Sequence, residues 1–128
     1  MAGGDILEGK RVLIVDDEPD VLETLAEMLS MCLVDKAPSF DAGVKCLNKN
    51  IYDIAILDIM GVRGYDLLQL ATQKKTSAVM LTAHALSPDN LIRSIQEGAH
   101  SYVPKDKLPE FADFLRDILE AKQKGSQK

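Results

Sequence analysis

A chain of 128 residues with 46% hydrophobic and 27% charged residues can build one packed core, and this composition excludes a disordered polymer or a fibrous repeat. The formal charge of -5 opposes nonspecific binding to nucleic acid, which rests on lysine and arginine neutralising phosphates, so no direct nucleic-acid partner is expected. No apolar run approaches the roughly 18 residues of a membrane span, and Met1 to Gly9 lacks the basic and apolar regions of a signal peptide. A cytoplasmic location without membrane attachment is expected.

In chain order, Arg11 to Val15 is the first short apolar run without polar alternation, the pattern of a strand buried on both faces. It ends on Asp16, Asp17 and Glu18. Pro19 then opens a helix whose Val21, Leu22, Leu25, Met28 and Leu29 share one face, with Glu18 and Asp20 serving its N-terminus. A weaker strand, Leu33 to Ala37, leads to a helix from Asp41 to Asn48 announced by Ser39 and Asp41 as N-caps.

Ile54 to Leu57 is a second apolar run, ending on Asp58, and a helix from Tyr65 to Gln73 follows it. Ala78 to Leu81 is the third such run, ending on Thr82. Ser87-Pro88 then starts a helix carrying Leu91, Ile92 and Ile95. A short strand from Ser101 to Val103 precedes Lys105, and the last helix places Phe111, Phe114, Leu115, Ile118 and Leu119 on one face. Cys32 and Cys46 fall on predicted helical segments with no C-x-x-C pairing and read as reduced, packed thiols. His84 and His100 stand apart from any zinc-ligand spacing.

Alternating strands and helices imply an α/β domain: a five-stranded parallel sheet, doubly wound, with helices on both faces. In the flavodoxin-like order 2-1-3-4-5, ligands bind beyond the carboxyl ends of the strands, where the strand order reverses between the first and third. That order gathers Asp16, Asp17 and Asp58, with Thr82 and Lys105 at the ends of the fourth and fifth strands. Two carboxylates about 4 Å apart repel by ~4 kcal/mol at an effective dielectric near 20. Three in one pocket therefore need a cation or must take up protons. An all-oxygen donor set selects a hard divalent ion, and with no EF-hand loop present Mg2+ fits best, Mn2+ being the alternative.

The segments VLIVDDEP, IAILDIM, VMLTAH and GAHSYVPK, in this order and spacing, resemble the receiver domain of two-component response regulators over Lys10 to Lys122. The resemblance implies that Asp58 is the nucleophile, taking a phosphoryl group from a sensor histidine kinase or a histidine phosphotransfer protein. It further implies that Asp17 binds Mg2+ directly and Asp16 through water, with the Met60 backbone carbonyl as a ligand. Thr82 and Lys105 would hold phosphoryl oxygens, and Thr82 with Tyr102 would form the switch that changes contacts with a downstream protein. Residues 1–9 are then an N-terminal extension, 10–123 the receiver and 124–128 a flexible tail, with no effector domain.

Departures from the family pattern lie in DIMGVRGYD, which has no proline and a shortened loop, and in Lys105-Asp106 where a Lys-Pro is usual. Gly61 and Gly64 supply the positive φ such a loop needs. The altered loop motivates a rival reading, a constitutive interaction module that has lost phosphorylation, while the intact Asp58, Thr82 and Lys105 oppose it. No D-x-D-x-[TV], G-x-x-x-x-G-K-[ST] or G-x-G-x-x-G motif is present, so no independent turnover enzyme is expected. Apolar residues on the last two helices admit a homodimer.

Overall fold

Successive side chains on a strand point to opposite faces, so an apolar run with no polar alternation must be covered on both sides. The computed structural model describes residues 6–59, 63–82, 96, 101–104, 108 and 110–126. Within them β1 (Arg11–Val15), β2 (Leu33–Ala37), β3 (Ile54–Asp58), β4 (Ser77–Thr82) and β5 (Ser101–Pro104) pair in parallel, in the order β2-β1-β3-β4-β5. Helices α1 (Pro19–Met28), α2 (Phe40–Lys49) and α3 (Gly64–Gln73) follow the first three strands, and α4 (Phe111–Ser126) follows β5. The helix expected around Leu91, Ile92 and Ile95 lies outside the described residues.

The two faces are filled as the alternation requires. Val12, Ile14, Ile54, Ile56, Val79 and Leu81 meet α1 and α4 through Leu22, Leu25, Phe111 and Leu115. Their neighbours Leu13, Val15, Ala55, Leu57, Ala78 and Met80 meet α2 and α3 through Leu47, Leu67, Leu68 and Ala71. Gly43 lets α2 settle this close, since a Cβ there would stand 3.2 Å from the Val15 methyls and 3.3 Å from Leu67. This is the α/β, flavodoxin-like arrangement, and it brings the carboxyl ends of β1 and β3 side by side.

Residues 6–9 form a turn rather than a loose extension, because Leu7 is fully buried in the α1/α4 layer and its carbonyl accepts the Cys32 thiol at 3.3 Å. Cys32 itself sits just before β2, not on a helix, while Cys46 is on α2, and neither is in a disulfide. At the other end α4 continues through Gly125 to Ser126, into the stretch expected to fray.

Helix starts follow local chemistry. The Ser39 hydroxyl accepts from the Ala42 N–H at 3.2 Å and caps α2. Glu18 stands at the N-cap of α1 as expected, without a side-chain capping bond, and Pro19 removes one of the amides that would need one. Beside edge strand β2, the buried Tyr52 hydroxyl donates to Asp35 at 2.6 Å and accepts from the Asn50 side-chain amide at 3.2 Å. Burial first, and then the Asp35 carboxylate, push the Tyr52 hydroxyl well above the ordinary tyrosine range.

Candidate functional site

The site is built where apolar strands run out into polar residues. In the β1–β3 register Val15 faces Leu57, so the next residue of each strand, Asp16 and Asp58, stand side by side beyond the apolar sheet. Both are buried, Asp16 completely and Asp58 at 5% exposure, while Asp17 and Glu18 are exposed. On the other flank Asp58 faces Leu81, which places Thr82 one step further out, 9% exposed and paired in register with Pro104 of β5. Folding thus gathers Asp16, Asp58 and Thr82 from three neighbouring strands.

The backbone around these groups is held on several sides. The Asp16 N–H donates to the Ala37 carbonyl at 3.1 Å, extending the β1–β2 ladder, and its carboxylate accepts the Glu18 N–H at 2.9 Å. The Ile59 N–H donates to the Leu81 carbonyl at 3.0 Å, which prolongs the β3–β4 ladder past Asp58. The Gly64 N–H donates to the Ile59 carbonyl at 3.1 Å. A Cβ on Gly64 would overlap the Asp58 carbonyl oxygen and lie 2.8 Å from the Ile59 Cα, so α3 begins in direct contact with the main chain of Asp58.

Arg63, immediately before Gly64, was not singled out by the sequence. It adopts the left-handed conformation, φ 53° and ψ 53°, as N-cap residue of α3. The positive φ expected of a loop glycine therefore falls, among the described residues of this loop, on an arginine. Its guanidinium lies 4.1 Å from the centre of the Phe40 ring and pairs with Asp66 through two nitrogens, at 2.8 and 2.9 Å. Residue type alone carries no signal for this, since arginine rarely adopts positive φ.

The donor set fits a hard divalent ion. Carboxylate oxygens of Asp16, Asp17 and Glu18 lie within 4.8 Å of one another, an all-oxygen cluster at the end of β1. Glu18, expected to serve only the helix, thus belongs to the acidic group, whereas Asp58, expected there with Asp16 and Asp17, is not a member of it and stands next to Asp16 only by the β1–β3 register. Met60, Lys105 and His84 lie outside the described residues. Tyr102 is placed opposite Met80 in β5, and its side chain lies outside the described residues too. Among the described residues no helix is long and apolar enough to cross a membrane.

Comparison with known proteins gives this arrangement its family. Residues 12–116 match the response regulator receiver domain, and the chain belongs to that family. It is similar to the heme response regulator HssR of Staphylococcus aureus (strain Newman), 36% identical over 114 residues that make up 84% of this chain and 50% of the relative. The CheY-like receiver domain protein of Methanospirillum hungatei JF-1 superposes with a TM-score of 0.82 at 23% identity, covering 92% of this chain and 99% of that one. The response regulator TrrA of Thermotoga maritima, solved in complex with Mg2+-BeF, superposes with a TM-score of 0.73 at 29% identity, covering 85% and 98%. The chain spans half or less of the length of the curated relatives it matches.

Proposed function

We propose that this chain is a phosphoacceptor receiver of a two-component system, taking a phosphoryl group from a phosphohistidine onto Asp58 and changing its contacts with another protein as a result. The observation that carries the reading is the gathering of Asp16, Asp58 and Thr82 at the carboxyl ends of three adjacent strands, beside the acidic group completed by Asp17 and Glu18. In this reading Asp16, Asp17, Asp58 and the Met60 carbonyl hold Mg2+, with Mn2+ as a substitute. When bound, the ion neutralises charge on the carboxylates and on the transferred oxygens.

The chain's own groups supply the rest. Asp58 presents its carboxylate as nucleophile from a main chain held by the Ile59–Leu81 bond to β4 and by close contact with Gly64. Thr82 and Lys105 bind phosphoryl oxygens, Thr82 as hydrogen-bond donor and Lys105 as counter-charge. Formation of the new Thr82 hydrogen bond draws its side chain toward Asp58, and Tyr102 on β5 answers by changing position, which alters the surface offered to a partner. Phosphoryl groups arrive from a sensor histidine kinase or a histidine phosphotransfer protein, and the protein works in the cytoplasm as a switch, without turnover of free substrate.

Backbone amide spectra followed through a Mg2+ titration test the ion-binding part of the reading. Saturable shifts at Asp17, Asp58 and Ile59, weakened in Asp17→Asn, are expected. A wild-type spectrum unchanged by Mg2+ would remove it.

A further inference from the structure

The entry into α3 at Arg63 is held in an unusual way, and the holding residues reach a second helix. Arg63 takes a left-handed backbone that arginine rarely adopts, yet its side chain is not spent on capping α3. Instead the guanidinium lies over the ring of Phe40, the first residue of α2, while two of its nitrogens grip Asp66. A planar guanidinium can stack on a ring and pair with a carboxylate in its own plane at once, which lysine's single ammonium cannot do. The next residue, Gly64, bonds the Ile59 carbonyl and touches the Asp58 carbonyl oxygen. Any drift at Arg63 is therefore passed to the acceptor's main chain within one residue.

We propose that Arg63 is a positioning residue for the Asp58 site: clamped between Phe40 and Asp66, it fixes the start of α3 that sets Gly64 against the acceptor's backbone and so ties that backbone to α2. The proposal rests on the reading of Asp58 as phosphoacceptor. Arg63 touches no reacting atom. Its contribution is to keep the start of α3 in the one position that leaves the Asp58 carboxylate and the Ile59 backbone aligned for the ion and the phosphoryl donor.

Two variants separate the clamp from the backbone conformation. Arg63→Gly accepts the left-handed φ freely but removes both side-chain contacts, and Phe40→Ala removes the ring while leaving Arg63 and Asp66 paired. In the metal-free protein, hydrogen exchange of the Gly64 amide is expected to quicken several-fold in both. With a small-molecule phosphodonor, both are expected to need several-fold more Mg2+ for half-maximal modification of Asp58 while reaching the wild-type rate at saturation, and Arg63→Lys is expected to restore only part of the difference. Unchanged Gly64 exchange in both variants overturns the clamp. Faster exchange with an unaltered Mg2+ requirement overturns the positioning role. Failure of wild-type protein to be modified under any Mg2+ concentration overturns the acceptor reading itself, a result told apart because exchange is read without metal or donor.

Discussion

The α-carbon of Gly64 lies so close to the carbonyl oxygen of Asp58 that no side chain can be added there without moving one backbone or the other. Neither neighbour is a flexible side-chain tip, because both the oxygen and the adjacent Ile59 Cα are main-chain atoms fixed by the β3–β4 ladder.

Gly64→Ala is accordingly expected to cost about 1–3 kcal/mol, the range for overpacking a well-filled interior. Thermal unfolding by calorimetry checks this. Since the strain falls on the backbone of Asp58, its modification by a small phosphodonor is, under the proposed function, expected to slow as well. A variant as stable and as readily modified as the parent would show that the contact is not tight in solution.

Leu7 belongs to the core rather than to an appendage. It is fully buried and sits in the layer that α1 and α4 share with the sheet, with Cys32 donating to its carbonyl. Leu7→Ala is expected to cost about 2–5 kcal/mol in urea unfolding, like other leucine truncations in a core. A loose extension would give a change near zero.

The Ser39 cap makes a smaller and sharper prediction. Its hydroxyl satisfies the Ala42 N–H at the start of α2, the helix that carries Phe40 and Gly43. Ser39→Ala is expected to destabilise by about 1 kcal/mol and Ser39→Gly by only a few tenths. Chemical denaturation of the two variants side by side checks the order.

Tyr52 links stability to alkaline pH. Burial and the Asp35 carboxylate raise its hydroxyl above the ordinary value, so the folded chain keeps a proton that the unfolded chain releases from about pH 10 upward. A group raised in this way stabilises fully below its unfolded value, and that contribution is lost as pH climbs toward the folded one. Unfolding free energy is therefore expected to fall with pH above about 10 in the wild type, with a flatter profile in Tyr52→Phe. At neutral pH the same substitution is expected to cost about 1 kcal/mol for the lost hydrogen bond to Asp35. Parallel profiles would place the alkaline transition elsewhere.

Much of this architecture is legible in the residues. The runs RVLIV and IAIL announce β1 and β3 because strands covered on both faces have no room for polar alternation, and β2 begins and ends at Leu33 and Ala37 as the pattern suggests. The acids that follow β1 and β3 are legible for the same reason, since charge placed directly after a buried strand can only emerge at the sheet edge. What stays hidden depends on tertiary geometry. The burial of Leu7 has no periodic partner to reveal it, and the membership of Glu18 in the acidic group follows from how β1 turns into α1. Arg63 is the clearest case, because its backbone conformation and its contact with Phe40 are properties of a turn closing on a different helix.

Phosphorylation of Asp58 is checked by intact-mass spectrometry of the purified chain incubated with acetyl phosphate and Mg2+. The chain is expected to gain a single phosphoryl group, lost when Mg2+ is chelated and absent in Asp58→Asn. An unmodified mass under conditions that modify a control receiver, or a phosphoryl group still acquired by Asp58→Asn, would contradict it.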